Sequence, residues 1–298
     1  MRVSDKNLAE VWDRGFTIIE NFLDRDALAA AREALWEIYP KPEDYFKAPE
    51  EHPELARGQF AGLRLFPYSS WALNRLPVYP DLIDGAERLL ETQDLEIYKI
   101  ELWAKYSGAV NYDQFHHRDF GNHSLVVPRA DRNHTQMTTF MLLSDVTAED
   151  APTKLVPLKF TRELSLPTRA VPFGELFEHE VALTAPAGSL LIYKTDVFHR
   201  GSNFTGVNRS RFMMLVDIQQ RGWRWQGKMS WPDRADAKGM RETIVRMTPR
   251  ERDLFGFPPP GSEYWNEQTI ADVSARYPGM DMTPYLKPSA DGSAEQKS

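Results

Sequence analysis

The chain has 298 residues, 42% of them apolar, with 36 Lys+Arg against 43 Asp+Glu for a net charge of −7, and it contains no cysteine. This apolar content supports a real core and excludes wholesale disorder, while the acidic balance argues against nucleic acid or an anionic membrane as the partner. The absence of cysteine removes disulfides, thiolate nucleophiles, Fe–S clusters and zinc ribbons in one step.

The polar start, Met1 to Asn7, lacks the apolar stretch of a signal peptide, and no apolar run reaches the roughly 18 residues of a membrane span, so a cytoplasmic protein is expected. The first 40 residues read helix, strand, helix. Leu8 to Trp12 is apolar-periodic, Gly15 punctuates it, and Phe16-Thr17-Ile18-Ile19 is a β-branched run. Asp24 can cap a helix through about Trp36 with Leu28, Ala31 and Leu35 on one face. The Pro- and aromatic-rich stretch from Lys41 to Pro80 has no clear period, and Pro80 to Thr92 reads as helix.

From Leu95 the pattern changes to strands. Tyr98 to Tyr106 alternates strictly, with Ile100, Leu102, Ala104 and Tyr106 on one face and Lys99, Glu101, Trp103 and Lys105 on the other. Further strands are expected at Phe115–Phe120, Thr135–Leu143, Lys154–Val156, Glu180–Thr184, Ser189–Lys194 and Arg211–Gln219, separated by turns such as Pro186-Ala187-Gly188. Many short strands after helices predict a mainly β fold with flanking helices, a jelly roll or barrel with an N-terminal helical buttress. Thr248-Pro249-Arg250-Glu251 is a capping box that opens a late helix. The expected organisation is one domain over 1–285, with a core barrel over 95–220, an extension over 221–285 and a disordered tail over 286–298.

No phosphate loop, dinucleotide fingerprint or G-x-S-x-G is present, so the histidines carry the chemistry. His117-Arg118-Asp119 is an H-x-D, and on a strand its imidazole and carboxylate point to the same side. A second His from elsewhere would complete the facial triad of non-heme Fe(II) oxygenases, with three open positions. The motif alone is weak. With 43 acids in 298 positions, seven histidines yield roughly one H-x-[DE] by chance, and His52-Pro53-Glu54 is such a match. Context strengthens His117. His199 ends the apolar run Leu190 to Phe198, and Arg209-Ser210-Arg211 opens the next strand after a Gly- and Asn-containing loop. A hairpin there returns Arg211 toward His199, where a guanidinium can hold a carboxylate bidentately. A metal beside an arginine suits 2-oxoglutarate: keto acid on iron, distal carboxylate on Arg211.

Four stretches together resemble the phytanoyl-CoA dioxygenase family of Fe(II)/2-oxoglutarate oxygenases. Gly15-Phe16-Thr17-Ile18-Ile19-Glu20-Asn21-Phe22-Leu23 is similar to its opening G-F-x-x-x-x-x-F-L, and Phe115-His116-His117-Arg118-Asp119 stands in place of W-H-Q-D. Leu143 through Pro157 resembles L-x-D-x-T-x-E-N-G-x-L-x-V-x-P. Gly188-Ser189-Leu190-Leu191-Ile192-Tyr193, followed by His199-Arg200-Gly201 and Asn208-Arg209-Ser210-Arg211, is similar to G-D-L-L-L-F…W-H-x-G…N-x-S-x-x-x-R. The resemblance spans Leu8 to Gln219 and implies a double-stranded β-helix, a cupin-like barrel. It implies iron ligands His117, Asp119 and His199, with Arg211 on the distal carboxylate of 2-oxoglutarate. It also implies that Phe140 and Thr138 line the co-substrate, with Arg64 as an upstream basic contact. Fe(II), 2-oxoglutarate and O₂ would oxidise a small organic substrate, releasing succinate and CO₂. Asp119 separates the chain from related halogenases, where a small residue frees a site for halide, and so favours hydroxylation or another two-electron oxidation. Family members accept lipids, amino acids and secondary metabolites, and the acidic charge speaks against a CoA thioester here. Two departures fall on the substrate side: Asp150-Ala151-Pro152-Thr153 replaces N-G-x-L, and Pro157-Leu158-Lys159-Phe160 replaces P-G-S-H.

Competing readings apply to the remaining residues. His116, on the opposite strand face from His117, is structural or a substrate contact; His123 is a substrate contact or, preferentially, a solvated loop residue, and His134 and His179 read as loop residues. Trp103, Lys105 and Glu101 either face the barrel interior near the substrate or form a half-solvated outer face. Arg209 shares a face with Arg211, which abuts the apolar run and is preferred. Trp223, Trp225 and Trp231 either lid the substrate or, preferentially, pack the extension onto the barrel. The alternative function is a non-catalytic or O₂-independent cupin-like barrel that binds a small ligand.

Overall fold

The computed structural model describes residues 2–123, 135–165, 168, 170–222, 231 and 237–286. Helix Asp5–Arg14 starts at Ser4, whose hydroxyl caps the Asn7 amide, and stops at Gly15, where φ is +97°. Only glycine enters that left-handed region without steric cost, so the chain turns there into strand β1 (Phe16–Ile19). Asp24 caps helix Arg25–Leu35 through the Ala27 amide at 2.7 Å, with Ala31 and Leu35 buried. Helix Pro80–Leu90 buries Leu82, Ala86 and Leu89.

The remaining strands are β2 (Leu63–Leu65), β3 (Leu95–Tyr106), β4 (Gln136–Leu142), β5 (Lys154–Leu155), β6 (Val181–Ala182), β7 (Leu190–Lys194), β8 (His199–Arg200) and β9 (Ser210–Gln220). A six-stranded antiparallel sheet runs β1-β7-β4-β9-β3-β2, and a three-stranded sheet runs β6-β5-β8. Period-two alternation gives the large sheet two faces. Ile100, Leu102, Met137, Met141, Ile192, Phe212, Met214 and Val216 form one core with the helices. Phe140, Leu142, Leu191, Tyr193, Met213 and Leu215 form a second with Leu155, Leu183 and Val197, on the small-sheet side. The molecule is mainly β with flanking helices, a distorted jelly roll of two sheets, as the sequence predicts.

One expected strand needs correction. Phe115–Phe120 is not a strand: among the described residues of this stretch only His117 bridges, to His199 and to Ala170, and Phe120–His123 forms a helical turn. With one paired residue there is no ladder to propagate. Trp231 packs edge-on to Phe66 and against Phe255, and its indole N–H donates to the Ile97 carbonyl at 3.0 Å. It joins the extension to β3, as the packing reading had it; Trp223, Trp225, His134 and the tail beyond 286 lie outside the described residues. Among the described residues no helix is long and apolar enough to cross a membrane.

Candidate metal centre

His117 sits on the short extended segment after β3, Asp119 just before the helical turn, and His199 at the start of β8. The backbone makes the juxtaposition: the His117 amide donates to the His199 carbonyl at 2.9 Å, and the His199 amide donates back at 3.0 Å. One ligand atom from each of His117, Asp119 and His199 lies within 4.8 Å of the others. His117 Nδ1 donates to the Phe115 carbonyl at 2.9 Å, and His199 Nδ1 to the Val197 carbonyl at 3.1 Å. Each ring is thereby held as the tautomer whose Nε2 lone pair points at the centre, the arrangement metal-binding histidines adopt. Nε2 of His199 is 3.3 Å from Asp119 Oδ2, and Nε2 of His117 is 3.8 Å from Oδ1. Donors about 2 Å from one ion at right angles stand roughly 3 Å apart, so the set fits a metal after small adjustments.

The electrostatics agree. Burial pushes His199 down to about 4, keeping its imidazole neutral and able to ligate. Burial opposes the charge on Asp119, but His199, His123, Lys99 and His117 outweigh it and hold the carboxyl well below the usual range. The Tyr193 hydroxyl donates to Asp119 Oδ2 at 2.8 Å.

A cavity of about 180 Å³ opens from the triad between the sheets. Lys99, Glu101 and Trp103 of β3, Phe140 of β4, Tyr193 of β7 and Arg211, Met213 and Leu215 of β9 form its large-sheet wall. Phe60, Tyr112, Gln114, Thr153 and Gly201 form its rim and far side. Lys99, Glu101 and Trp103 of β3 thus line the cavity rather than a half-solvated outer face. Lys99 Nζ lies 2.9 Å from Asp217 and 3.1 Å from His123 Nε2. Burial would discharge Lys99, but Asp217, Glu101 and Asp119 outweigh it and raise its pKa.

Arg211 lines the cavity, is 5% exposed and donates to the Ala151 carbonyl. Arg209 instead grips Asp150 with two nitrogens, at 2.7 and 2.9 Å, on the surface side. The loop between them is held by both arginines, and Ala151 keeps a left-handed φ of +52° where the resembled pattern has glycine.

Phe140 is on the cavity wall, but other expected contacts are not. Thr138 is fully buried and does not reach the cavity. Arg64 donates to the Ala61 and Leu63 carbonyls and stacks over Tyr39, because β2 is the edge strand farthest from β7. His116 is fully buried with Nε2 3.1 Å from Glu180, facing away from the triad as neighbours on an extended segment do. Lys105 does not line the cavity: its ammonium donates to the Ser202 carbonyl at 2.9 Å and lies over the Tyr112 ring at 4.0 Å. His123 departs in the opposite sense. It is buried on the cavity wall and meets the Tyr98 hydroxyl at 2.8 Å. Tyr193 and the Lys99–Asp217 pair were not read as site residues. The visible signals were charged residues on one face of an alternating strand, and a tyrosine in place of the pattern's phenylalanine.

The fold is shared with known proteins. The non-heme α-ketoglutarate-dependent carbocyclase SnoK from nogalamycin biosynthesis superposes with a TM-score of 0.53 at 16% identity, over 78% of this chain and 90% of that one. The non-heme α-ketoglutarate-dependent epimerase SnoN from nogalamycin biosynthesis superposes with a TM-score of 0.48 at 16% identity, over 72% and 81%. No family model and no curated protein sequence matches the chain.

Proposed function

We propose that the protein is an Fe(II)- and 2-oxoglutarate-dependent oxygenase, of the kind the phytanoyl-CoA dioxygenase resemblance implies, acting on a small organic substrate. The observation that carries this is the convergence of His117, Asp119 and His199 on one cavity that also holds a buried arginine. The jelly roll shared with SnoK supports it. Iron(II) bound with 2-oxoglutarate and O₂ would supply a two-electron oxidation, releasing succinate and CO₂.

The chain's own residues set the conditions. The two Nε2 atoms and the Asp119 carboxylate would hold the ion, a three-donor set that would leave coordination positions for exogenous groups. Arg211, low in the cavity and nearly dry, binds the distal carboxylate of the keto acid, an interaction strengthened by the surrounding apolar side chains. Phe140, Met213 and Leu215 limit water around the reacting carbon. Hydroxylation is the proposed outcome. SnoK, which shares the fold, is described as a carbocyclase, so ring closure is the second outcome. A simple ligand-binding barrel would not need three inward-aimed metal donors beside a buried guanidinium.

The test needs no substrate. Anaerobic addition of Fe(II) and then 2-oxoglutarate to the purified protein is expected to give a visible charge-transfer band that His117→Ala lacks. A folded wild type without the band overturns the assignment.

A further inference from the structure

We propose that Tyr193 is a positioning residue for the metal-binding carboxylate: its phenol holds Asp119 by Oδ2 and fixes the side chain facing the two imidazoles. The inference rests on the metal-centre reading above. Asp119 lies on a segment without a strand ladder, so its backbone does little to orient the side chain. Tyr193 is the reverse. It is fully buried in β7, paired with Phe16 of β1 on one side and Thr138 of β4 on the other. Its ring is wedged between Phe140 and His199, with centroids 5.7 and 5.0 Å away. A rigid strand thus reaches across to a carboxylate on a loosely supported one, through a hydrogen bond of 2.8 Å.

Asp119 Oδ1 lies 3.8 Å from His117 Nε2, and Oδ2, which takes the phenol's hydrogen bond, lies 3.3 Å from His199 Nε2, so the tether sets the carboxylate between the two imidazoles. The hydroxyl is also the whole difference from the resembled pattern, where phenylalanine would fill the same space.

Tyr193→Phe therefore removes the tether and keeps the ring. Titration of the apoprotein with Co(II) is expected to show affinity about 10–100-fold weaker than wild type. The visible Co(II) spectrum should change shape, while the far-ultraviolet circular dichroism of the apoprotein stays the same. Incorporating 3-fluorotyrosine at position 193, which retains the hydroxyl, should restore both affinity and spectrum. If Tyr193→Phe matches wild type in affinity and spectrum, the residue only packs and the proposal falls. If wild type binds Co(II) no better than His117→Ala, the metal-centre reading itself falls, which separates the two failures.

Discussion

The ladder between β3 and β9 has two faces built from alternate residues of the same strands, and different forces hold them. Toward the helices, Ile100, Leu102, Phe212, Met214 and Val216 are buried among apolar neighbours. On the other face Lys99, Glu101, Lys105, Arg211 and Asp217 are buried almost as completely. The apolar face is non-directional and roughly proportional to area, so it tolerates exchange of one hydrophobe for another of similar volume. The polar face depends on matched partners, and removing one member strands the other in a medium that cannot solvate it. Equal burial therefore conceals unequal sensitivity.

The largest expected effect breaks the polar face. Lys99→Met leaves Asp217 without its 2.9 Å partner and should lower stability by about 3–5 kcal/mol, measured by urea unfolding. Leu102→Ala, one face away, should cost about 2–5 kcal/mol through the cavity it creates. Replacing Lys99 and Asp217 together by apolar residues should recover much of the first loss, whereas nothing comparable rescues the second. A double variant as unstable as Lys99→Met would contradict the distinction. Next in size is Arg211→Met, which should raise the 2-oxoglutarate concentration for half-saturation by about 10–100-fold, roughly 1.4–2.8 kcal/mol. Arg209→Met should leave it unchanged, because that guanidinium is committed to Asp150; equal effects of the two would reverse the assignment.

The subtlest test uses pH. Burial, reinforced by the neighbouring Arg211, pushes Lys105 from an ordinary 10.5 down to about 7. Between those values the unfolded chain holds a proton that the folded chain has released, so folding stability rises with pH across that window. Below about pH 7 both states are protonated, and the gain is absent. Chemical denaturation at pH 7 and pH 9 should show wild type gaining on Lys105→Met, and parallel curves would refute it.

The comparison also shows what the sequence makes legible. The alternation at Tyr98–Tyr106 specifies both faces of β3, because a period of two leaves no other way to bury Ile100 and Leu102 together. The partner of a charged residue is not written locally. Lys99 meets Asp217 only because β3 and β9 pair in that register, and His123 reaches the same cluster from a helical turn with no pattern of its own. The cluster of His117, Asp119 and His199 was recoverable since chemistry restricts which residue types can hold a metal and the resembled pattern supplied their order. Arg64 and His116 lie off the cavity wall for a geometric reason: sequence position does not say which way a side chain points.

The order of the large sheet carries a consequence for how the molecule assembles. Phe16 pairs with Tyr193, Gln136 with Gln219 and Leu95 with Gln220, so nearly every ladder joins segments far apart along the chain. Such non-local pairing slows folding, since loop closure precedes the contacts that reward it. On the ribosome, β9 is the central plank that β3 and β4 both await, and it emerges after His117, Asp119 and His199 have been synthesised. The candidate donors are thus on the chain before the frame that brings them together is complete.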